Sequence, residues 1–152
     1  VDMPPGTGDI QLTLSQSSPL TGAVVVTTPQ DIALIDAKKG LKMFEKVNVP
    51  LLGIVENMSV FICPCCGEVT HIFGEGGAKR MSEQYGVPML GELPLSPAIR
   101  EAADSGRPTV AAEPESAAAK MYRAIAMKIA GSIAKLGKDY TARMPTISVK
   151  ND

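Results

Sequence analysis

Several features that define whole classes of protein are missing from this 152-residue sequence. It contains no tryptophan, one histidine and three cysteines, and no apolar run approaches the ~18 residues of a membrane span. Three closely spaced cysteines do not form the disulfide framework of a small secreted protein, which favours a reducing cytoplasm. A formal net charge of −1 argues against a broad nucleic-acid footprint, because phosphate binding requires a basic surface. We therefore expect a cytoplasmic globular protein with neither nucleic acid nor membrane as its partner.

Strand patterns alternate with helix patterns along the chain. Residues 22–28 are β-branched and apolar on both faces, as a central parallel strand is, and residues 50–55 and 88–93 are two further predicted strands. Apolar residues at helical spacing cover the segments 31–47, 78–85 and 115–136. This order predicts an α/β fold of three layers, with a mostly parallel sheet and helices on both faces.

Three local features refine this prediction. Residues 10–16 alternate apolar and polar, which favours a strand, with a short helix as the alternative. Thr28 is expected to cap the helix that follows it, with Pro29 at the first helical position. The final helix carries an apolar stripe that is expected to pack against the sheet, formed by Tyr122, Ile125, Ile129, Ile133 and Leu136.

The three cysteines fall within four positions, as Cys63, Cys65 and Cys66. Two thiolates separated by two residues can bind one soft metal, so Cys63 and Cys66 are predicted to be half of a metal centre. A small hairpin over about 60–73 would present them. A thioredoxin-like redox pair is disfavoured because no helix start follows the cysteines, while zinc and an unligated structural pair stay open. His71 is a candidate ligand, although a solvated hairpin histidine is the commoner outcome.

Short polar or proline-containing segments follow the predicted strands, at Asp2, Thr28, Asn57 and Leu93-Pro94. The carboxyl ends of parallel strands meet at one edge of a sheet, where ligands of α/β proteins bind. We therefore predict one nucleotide site there, with Asn57 and Pro94 as contacts and Asp2 near a Mg²⁺-bound water. An ordinary polar turn at Asp2 and a turn cap at Asn57 are the alternatives.

Six motifs in order resemble one known family. They are DMPPGTGD at 2–9, TTPQ at 27–30, ENMS at 56–59, CPCC at 63–66, FGEGG at 73–77 and IREAAD at 99–104. Together they resemble the Mrp/ApbC family of iron–sulfur cluster carrier ATPases, relatives of the ParA/MinD group of P-loop NTPases. The match extends from residue 1 to about 136.

The resemblance implies a role for each matching position. Asp2 corresponds to the Walker B or switch aspartate that supports the Mg²⁺ shell, and Gly6 lies in the switch segment that senses the γ-phosphate. Asn57 corresponds to the residue that contacts the adenine edge. Cys63 and Cys66, with the same pair from a second subunit, would hold a [4Fe–4S] cluster at a homodimer interface.

The sequence departs from the family pattern in two places. No Gly-x-x-x-x-Gly-Lys-Ser/Thr phosphate loop occurs, so tight ATP binding by this chain alone is not expected. Residues 1–136 are therefore interpreted as the C-terminal part of a P-loop NTPase-like domain, followed by an irregular tail at 137–152. Whether this chain is an enzyme by itself is left open, although the full-length protein would be an ATPase. The second departure is Cys65, since that position needs no thiol.

The expected function is an iron–sulfur cluster carrier that passes a [4Fe–4S] cluster to apo client proteins, coupled to ATP and Mg²⁺ in the full-length protein. Zinc is a possible substitute at the same four sulfurs. Two alternatives remain: a positioning ATPase of the ParA/MinD type, and a zinc-stabilised dimerisation module.

Overall fold

The computed structural model describes residues 1–3 and 8–136, and helices alternate with strands through that part of the chain. The elements are α1 (Asp9–Ser17), β1 (Ala23–Thr27), α2 (Asp31–Lys46), β2 (Leu51–Glu56), β3 (Phe61–Ile62), β4 (Val69–Thr70), α3 (Gly77–Tyr85), β5 (Met89–Glu92), α4 (Pro97–Asp104), α5 (Thr109–Ala112) and α6 (Ala117–Lys135). The predicted strands at 22–28, 50–55 and 88–93 and the helices that alternate with them are confirmed, whereas the element at 10–16 differs from the favoured prediction and the short helix α5 was not predicted.

A three-stranded parallel sheet with the order β1–β2–β5 forms the centre of the molecule. Val25 of β1 pairs with Ile54 of β2, and Ile54 pairs with Met89 of β5. Parallel strands require crossover connections, which α2 supplies between β1 and β2 and α3 supplies between β2 and β5. All three strands therefore end at the same edge of the sheet.

Helices cover both faces of this sheet. Ile54 faces α2 and α3 and is completely buried together with Leu41. The next residue, Val55, faces the opposite side, where it packs with Leu90 and with Ile125 of α6. Alternate side chains of one strand are thus buried under different helices, as expected for a sheet covered on both sides. The predicted three-layer α/β architecture is confirmed.

Residues 10–16 form part of helix α1, so the strand favoured by their alternation is wrong and the helical alternative is correct. Alternation misleads here because polar Gln11 is buried, with only 4% of its surface exposed. The hydroxyls of Ser15 and Ser17 donate to the carbonyl oxygens of Gln11 and Thr13, four residues earlier. Serine hydroxyls satisfied in this way are compatible with a helix interior.

The predicted cap of α2 is also wrong. The helix begins at Asp31, and its N-cap residue is Gln30, which makes no side-chain cap hydrogen bond. Thr28 directly follows β1. Among the buried side-chain polar atoms of the described residues, its Oγ1 is the one that has no hydrogen-bond partner. Because Gln30 is still extended, the helix starts too late for Thr28 to reach its free N–H groups.

Only the first half of the α6 stripe packs as predicted. Ile125 is buried and Tyr122 and Ile129 pack against it, but Ile133 and Leu136 are 40% and 36% exposed. A helix of 19 residues is about 28 Å long, whereas strands of 4 and 6 residues extend about 13–20 Å. The helix therefore reaches beyond the sheet. No helix in the described residues is long and apolar enough to cross a membrane.

Candidate metal centre

The predicted cysteine hairpin is present. Strands β3 and β4 pair antiparallel, with Ile62 opposite Val69. The Cys63 N–H donates to the Glu68 carbonyl over 2.9 Å, and the Gly67 N–H donates to the Cys63 carbonyl over 2.8 Å. Gly67 adopts a φ of 74°, a conformation that glycine accepts without strain. The chain therefore reverses over 63–67 and places all its thiols in one tight turn.

Within this turn, backbone N–H groups point at the first sulfur. The pKa of the Cys63 thiol is lowered from its ordinary value, first by the backbone N–H of Cys66 and then by that of Cys65. The thiol groups of Cys66 and Cys65 add smaller contributions in the same direction, while desolvation opposes them. Hydrogen bonds to the charged form favour that form. Since a thiolate is the form that binds metals, the turn prepares Cys63 for a metal.

The turn is open to its surroundings and incomplete as a metal site. All three cysteines are free thiols, with Cys63 half-buried and Cys65 and Cys66 exposed. Over residues 1–3 and 8–136, no group of three or more histidine, cysteine, aspartate or glutamate side chains is arranged to hold a metal ion. His71 instead places Nδ1 3.1 Å from the Ser59 carbonyl oxygen. One copy of this part of the chain thus offers a pair of thiols rather than a complete set of ligands.

The base of the hairpin is fastened to the exit of β5. The Ser59 N–H and hydroxyl both approach the Leu93 carbonyl, at 3.0 and 3.1 Å. The Leu95 N–H donates to the Val60 carbonyl over 2.8 Å, and Phe61 forms a parallel bridge with Leu95. The hairpin is therefore a separate two-stranded sheet whose base is tied to the exit of β5.

A buried glutamate contacts the end of the segment 57–77, which contains the three cysteines and is called the cysteine segment below. The sequence analysis did not single this glutamate out. Glu56, the last residue of β2, is 2% exposed, and its Oε2 accepts the Ala78 N–H over 2.6 Å. Ala78 is the second residue of α3. The N-cap residue of this helix is Gly76, which has no side chain that could cap it. The signal that could have revealed it is a charged residue ending the otherwise apolar strand Leu51–Glu56.

Three of the predicted nucleotide-site residues line the same elongated cavity. Asp2, Thr28 and Asn57 all line a cavity of about 930 Å³ that runs along β1. Asn57 is held by its N–H, which donates to the Thr27 carbonyl over 2.7 Å. Its Oδ1 accepts the Met58 N–H over 2.9 Å, so Asn57 also caps its own turn. The cavity follows the whole length of β1, and Thr28 and Asn57 lie at its carboxyl end, the edge of the sheet where ligands of α/β proteins bind.

Two predicted site residues are not part of this arrangement. Pro94 does not line the cavity; it lies in the connection between β5 and α4, beside the base of the hairpin. Gly6 lies outside the described residues, as does the predicted irregular tail at 137–152. The assignments of Asp2, Gly6, Asn57, Pro94, Cys63 and Cys66 to catalysis, nucleotide and metal stay predictions.

The sequence is similar to a family model and to proteins of bacteria and animals. The model, described as "ParA: NUBPL iron-transfer P-loop NTPase", matches residues 1–130. An "Iron-sulfur cluster carrier protein" of Escherichia coli strain K12 is 61% identical over 133 residues, covering 88% of this chain and 36% of that protein. The mouse "Iron-sulfur cluster transfer protein NUBPL" is 57% identical over 129 residues, covering 85% and 40%. The chain spans less than half the length of these curated relatives.

Solved structures agree with this fold. A nucleotide-binding protein in complex with ADP from Archaeoglobus fulgidus is 40% identical with a TM-score of 0.63, over 75% of this chain and 46% of that chain. The cell division ATPase MinD of Pyrococcus furiosus is 32% identical with a TM-score of 0.55, over 77% and 44%. The likeness to MinD confirms the expected relation to the ParA/MinD group. With the family model covering most of its length, this chain belongs to the NUBPL iron-transfer P-loop NTPase family of the ParA group.

Proposed function

We propose that this protein carries an iron–sulfur cluster and delivers it to apo client proteins. The observation that carries the proposal is the hydrogen-bonded turn over 63–67, which holds Cys63 and the exposed Cys66 as free thiols and in which N–H groups lower the pKa of the Cys63 thiol. N–H groups aimed at sulfur stabilise the thiolate before metal arrives and remain available once the sulfur is a ligand. The names of the relatives from Escherichia coli and mouse support the same cargo.

The proposed cargo is a [4Fe–4S] cluster held by Cys63 and Cys66 from each of two chains. Such a cluster requires four thiolates, and the described part of one chain offers only the thiol pair. A two-fold axis through the hairpin tips would bring two identical pairs together. Because Cys66 is exposed, a client thiol could replace it at iron without unfolding of either chain.

An exposed apolar pair beside the cysteines supports a homodimer through the hairpin. Ile62 and Val69 are cross-strand partners, and they are 53% and 59% exposed. A two-stranded hairpin is marginally stable by itself, and it gains from covering its apolar residues. A second hairpin related by two-fold symmetry would cover both side chains and shield the cluster from water.

ATP and Mg²⁺ are proposed to regulate the carrier in the longer protein. Asp2, Thr28 and Asn57 line the cavity that runs along β1, and the segment that carries the cysteines begins immediately after Asn57. The Archaeoglobus fulgidus neighbour is described as a complex with ADP. The switch segment from Asp2 to Asp9 would respond to the γ-phosphate and shift the dimer interface, which changes the exposure of the cysteines.

A positioning ATPase of the ParA/MinD type is the second candidate function, favoured by the likeness to the MinD structure. The cysteine turn distinguishes the two candidates, since positioning on DNA or membrane makes no use of paired thiolates. Co-sedimentation with liposomes or DNA tests it directly. A zinc-stabilised dimerisation module is the third candidate, and metal analysis of anaerobically purified protein tests that.

The decisive experiment is anaerobic reconstitution with iron and sulfide, followed by visible absorbance and by sizing of the product. The thiolate-to-iron absorbance should appear together with a dimer. Cys63→Ala and Cys66→Ala should each remove both, while Cys65→Ala serves as the matched control and should retain both. If the two ligand variants keep the wild-type absorbance, the carrier assignment is wrong.

A further inference from the structure

We infer that Glu56 is a positioning residue, which fixes the cysteine hairpin relative to the sheet by capping α3 from inside the protein. The inference rests on the proposed function only in its last step, where orientation of the hairpin affects metal binding. Its structural part stands on the burial of Glu56 and on its contact with Ala78.

The first step concerns what Glu56 connects. Glu56 and Ala78 are separated by 22 positions in the sequence, and the segment between them contains both hairpin strands and all three cysteines. At the start of that segment, the Leu93 N–H donates to the Glu56 carbonyl over 2.8 Å. At its end, the Glu56 carboxylate accepts the Ala78 N–H. One residue therefore contacts both ends of the segment, through its main chain and its side chain.

The second step concerns why the returning end needs such a contact. The approach to α3 contains Gly74 and Gly76, which have φ angles of 93° and 66°, and glycines of this kind allow many backbone conformations. At the helix start, Gly77 lies so close to Pro29 that an added Cβ would come within 2.9 Å of the Pro29 carbonyl oxygen. Core packing of Ala78 and Met81 holds α3 against the sheet, and after these glycines the contact with Glu56 helps to fix where the helix begins.

The third step concerns why the contact is made by a carboxylate. The first N–H groups of a helix lack partners within the helix, and the positive end of the helix dipole favours a negative group. The Ala78 N–H and the Glu56 Oε2 are 2.6 Å apart, a close contact, and a carboxylate accepts from a backbone N–H more strongly than a neutral group does. Burying a charge is unfavourable unless such partners are present, so a glutamate with 2% exposure has a structural task at this position.

A measurement on the wild-type chain tests the contact without any substitution. Amides in the first turn of a helix exchange rapidly with solvent when they have no partner. We expect the Ala78 amide to exchange at least tenfold more slowly than that of Lys79, its neighbour in the same turn, when followed by NMR. Equal exchange at Ala78 and Lys79 would overturn the inference.

A pair of matched variants tests the consequence for the cysteines. Glu56→Gln keeps the size and a hydrogen-bond acceptor but removes the charge, and Glu92→Gln makes the same change at the exposed end of β5, in register with Glu56. With Co²⁺ alone as the probe, followed by its thiolate absorbance, Glu56→Gln should bind about tenfold more weakly with an unchanged spectrum. Glu92→Gln should match the wild type.

The outcomes separate this inference from the proposed function. If the wild-type protein fails to bind Co²⁺ or to reconstitute a cluster, the carrier proposal is wrong. Slow exchange of the Ala78 amide would still support the hydrogen bond between Glu56 and Ala78. Wild-type binding with an equal affinity for Glu56→Gln contradicts the positioning role alone. If Glu56→Gln does not fold, the exchange rate of the Ala78 amide in the wild type decides.

Discussion

The sheet and the cysteine hairpin are stabilised in different ways. In the sheet, Ile54 and Leu41 of the covering helix are 0% exposed, and each buried side chain of this size contributes about 1.5–3 kcal/mol. In the hairpin, each strand has 2 residues and the pair Ile62 and Val69 is more than half exposed. The sheet is a scaffold that keeps its shape, while the hairpin depends on its turn and on its fastenings to the sheet. Changes in the hairpin are therefore expected to cost the fold little.

The largest expected effect separates the two regions by stability. Ile54→Ala removes a fully buried side chain from the central strand and should lower the free energy of unfolding by about 2–5 kcal/mol. Ile62→Ala, at a side chain that is 53% exposed, should change it by less than about 0.5 kcal/mol. Urea denaturation followed by circular dichroism measures both. Similar losses for the two variants would mean that the hairpin belongs to the core.

A smaller effect is expected where the cysteine segment returns to the scaffold. In Gly77→Ala, the new Cβ would lie 2.7 Å from Leu34 Cδ1 and 2.9 Å from the Pro29 carbonyl oxygen, which should cost about 1–3 kcal/mol. Gly40→Ala is the matched control, since nothing lies within 4 Å of its Cβ and alanine should stabilise α2 by about 0.5–1 kcal/mol. Thermal unfolding measures the opposite signs. A stabilised Gly77→Ala would contradict the close approach.

The next effect should appear in association and not in folding. Ile62→Ser combined with Val69→Ser removes the exposed apolar pair of the hairpin and should weaken association of the cluster-loaded chains about tenfold, or ~1.4 kcal/mol. Ile32→Ser combined with Ile35→Ser changes an exposed apolar pair on α2 and is the control. Analytical ultracentrifugation under anaerobic conditions measures the dimer. Weaker association in the α2 control alone would move the interface away from the hairpin.

The smallest expected effect is on the pH at which the Cys63 thiol loses its proton when no metal is bound. Since the pKa of Cys63 is lowered by the N–H groups of Cys66 and Cys65, its thiolate should persist to lower pH in the folded chain than in the chain unfolded in urea. As the solution is acidified, alkylation of Cys63 by iodoacetamide should therefore decline at a lower pH in the folded chain than in the unfolded chain. Peptide mass spectrometry over a pH series measures the midpoint at Cys63. A midpoint equal to that of the unfolded chain would show that the turn does not favour the thiolate.

Local sequence patterns were sufficient where the pattern and the packing agree. Residues 50–55 predict a buried strand, and β2 lies at the centre of the described sheet with five consecutive buried residues. Residues 22–28 predict a central strand as well, but this is wrong, because β1 lies at the edge of that sheet and Val26 is 61% exposed. The hairpin was predicted from two short segments that flank the cysteines, 60–62 and 69–73, and its strands pair within those bounds. Residues 10–16 show the limit, since the burial of Gln11 depends on neighbours distant in the sequence. The apolar stripe predicted on α6 was too long for a related reason, because the periodicity of a helix does not reveal how far the neighbouring sheet reaches.

The sequence by itself determined the family and the alternation of the main strands and helices from residue 22 onward, and it singled out two cysteines as candidate metal ligands, because these depend on residue types at short spacings. The tertiary structure decided which distant residues meet. It brings Asp2, Thr28 and Asn57 to one cavity and leaves Pro94 outside it, and it joins Glu56 to Ala78 across 22 positions. Contacts of this kind follow from strand register and helix placement, which depend on the packing of the whole domain and not on any single segment.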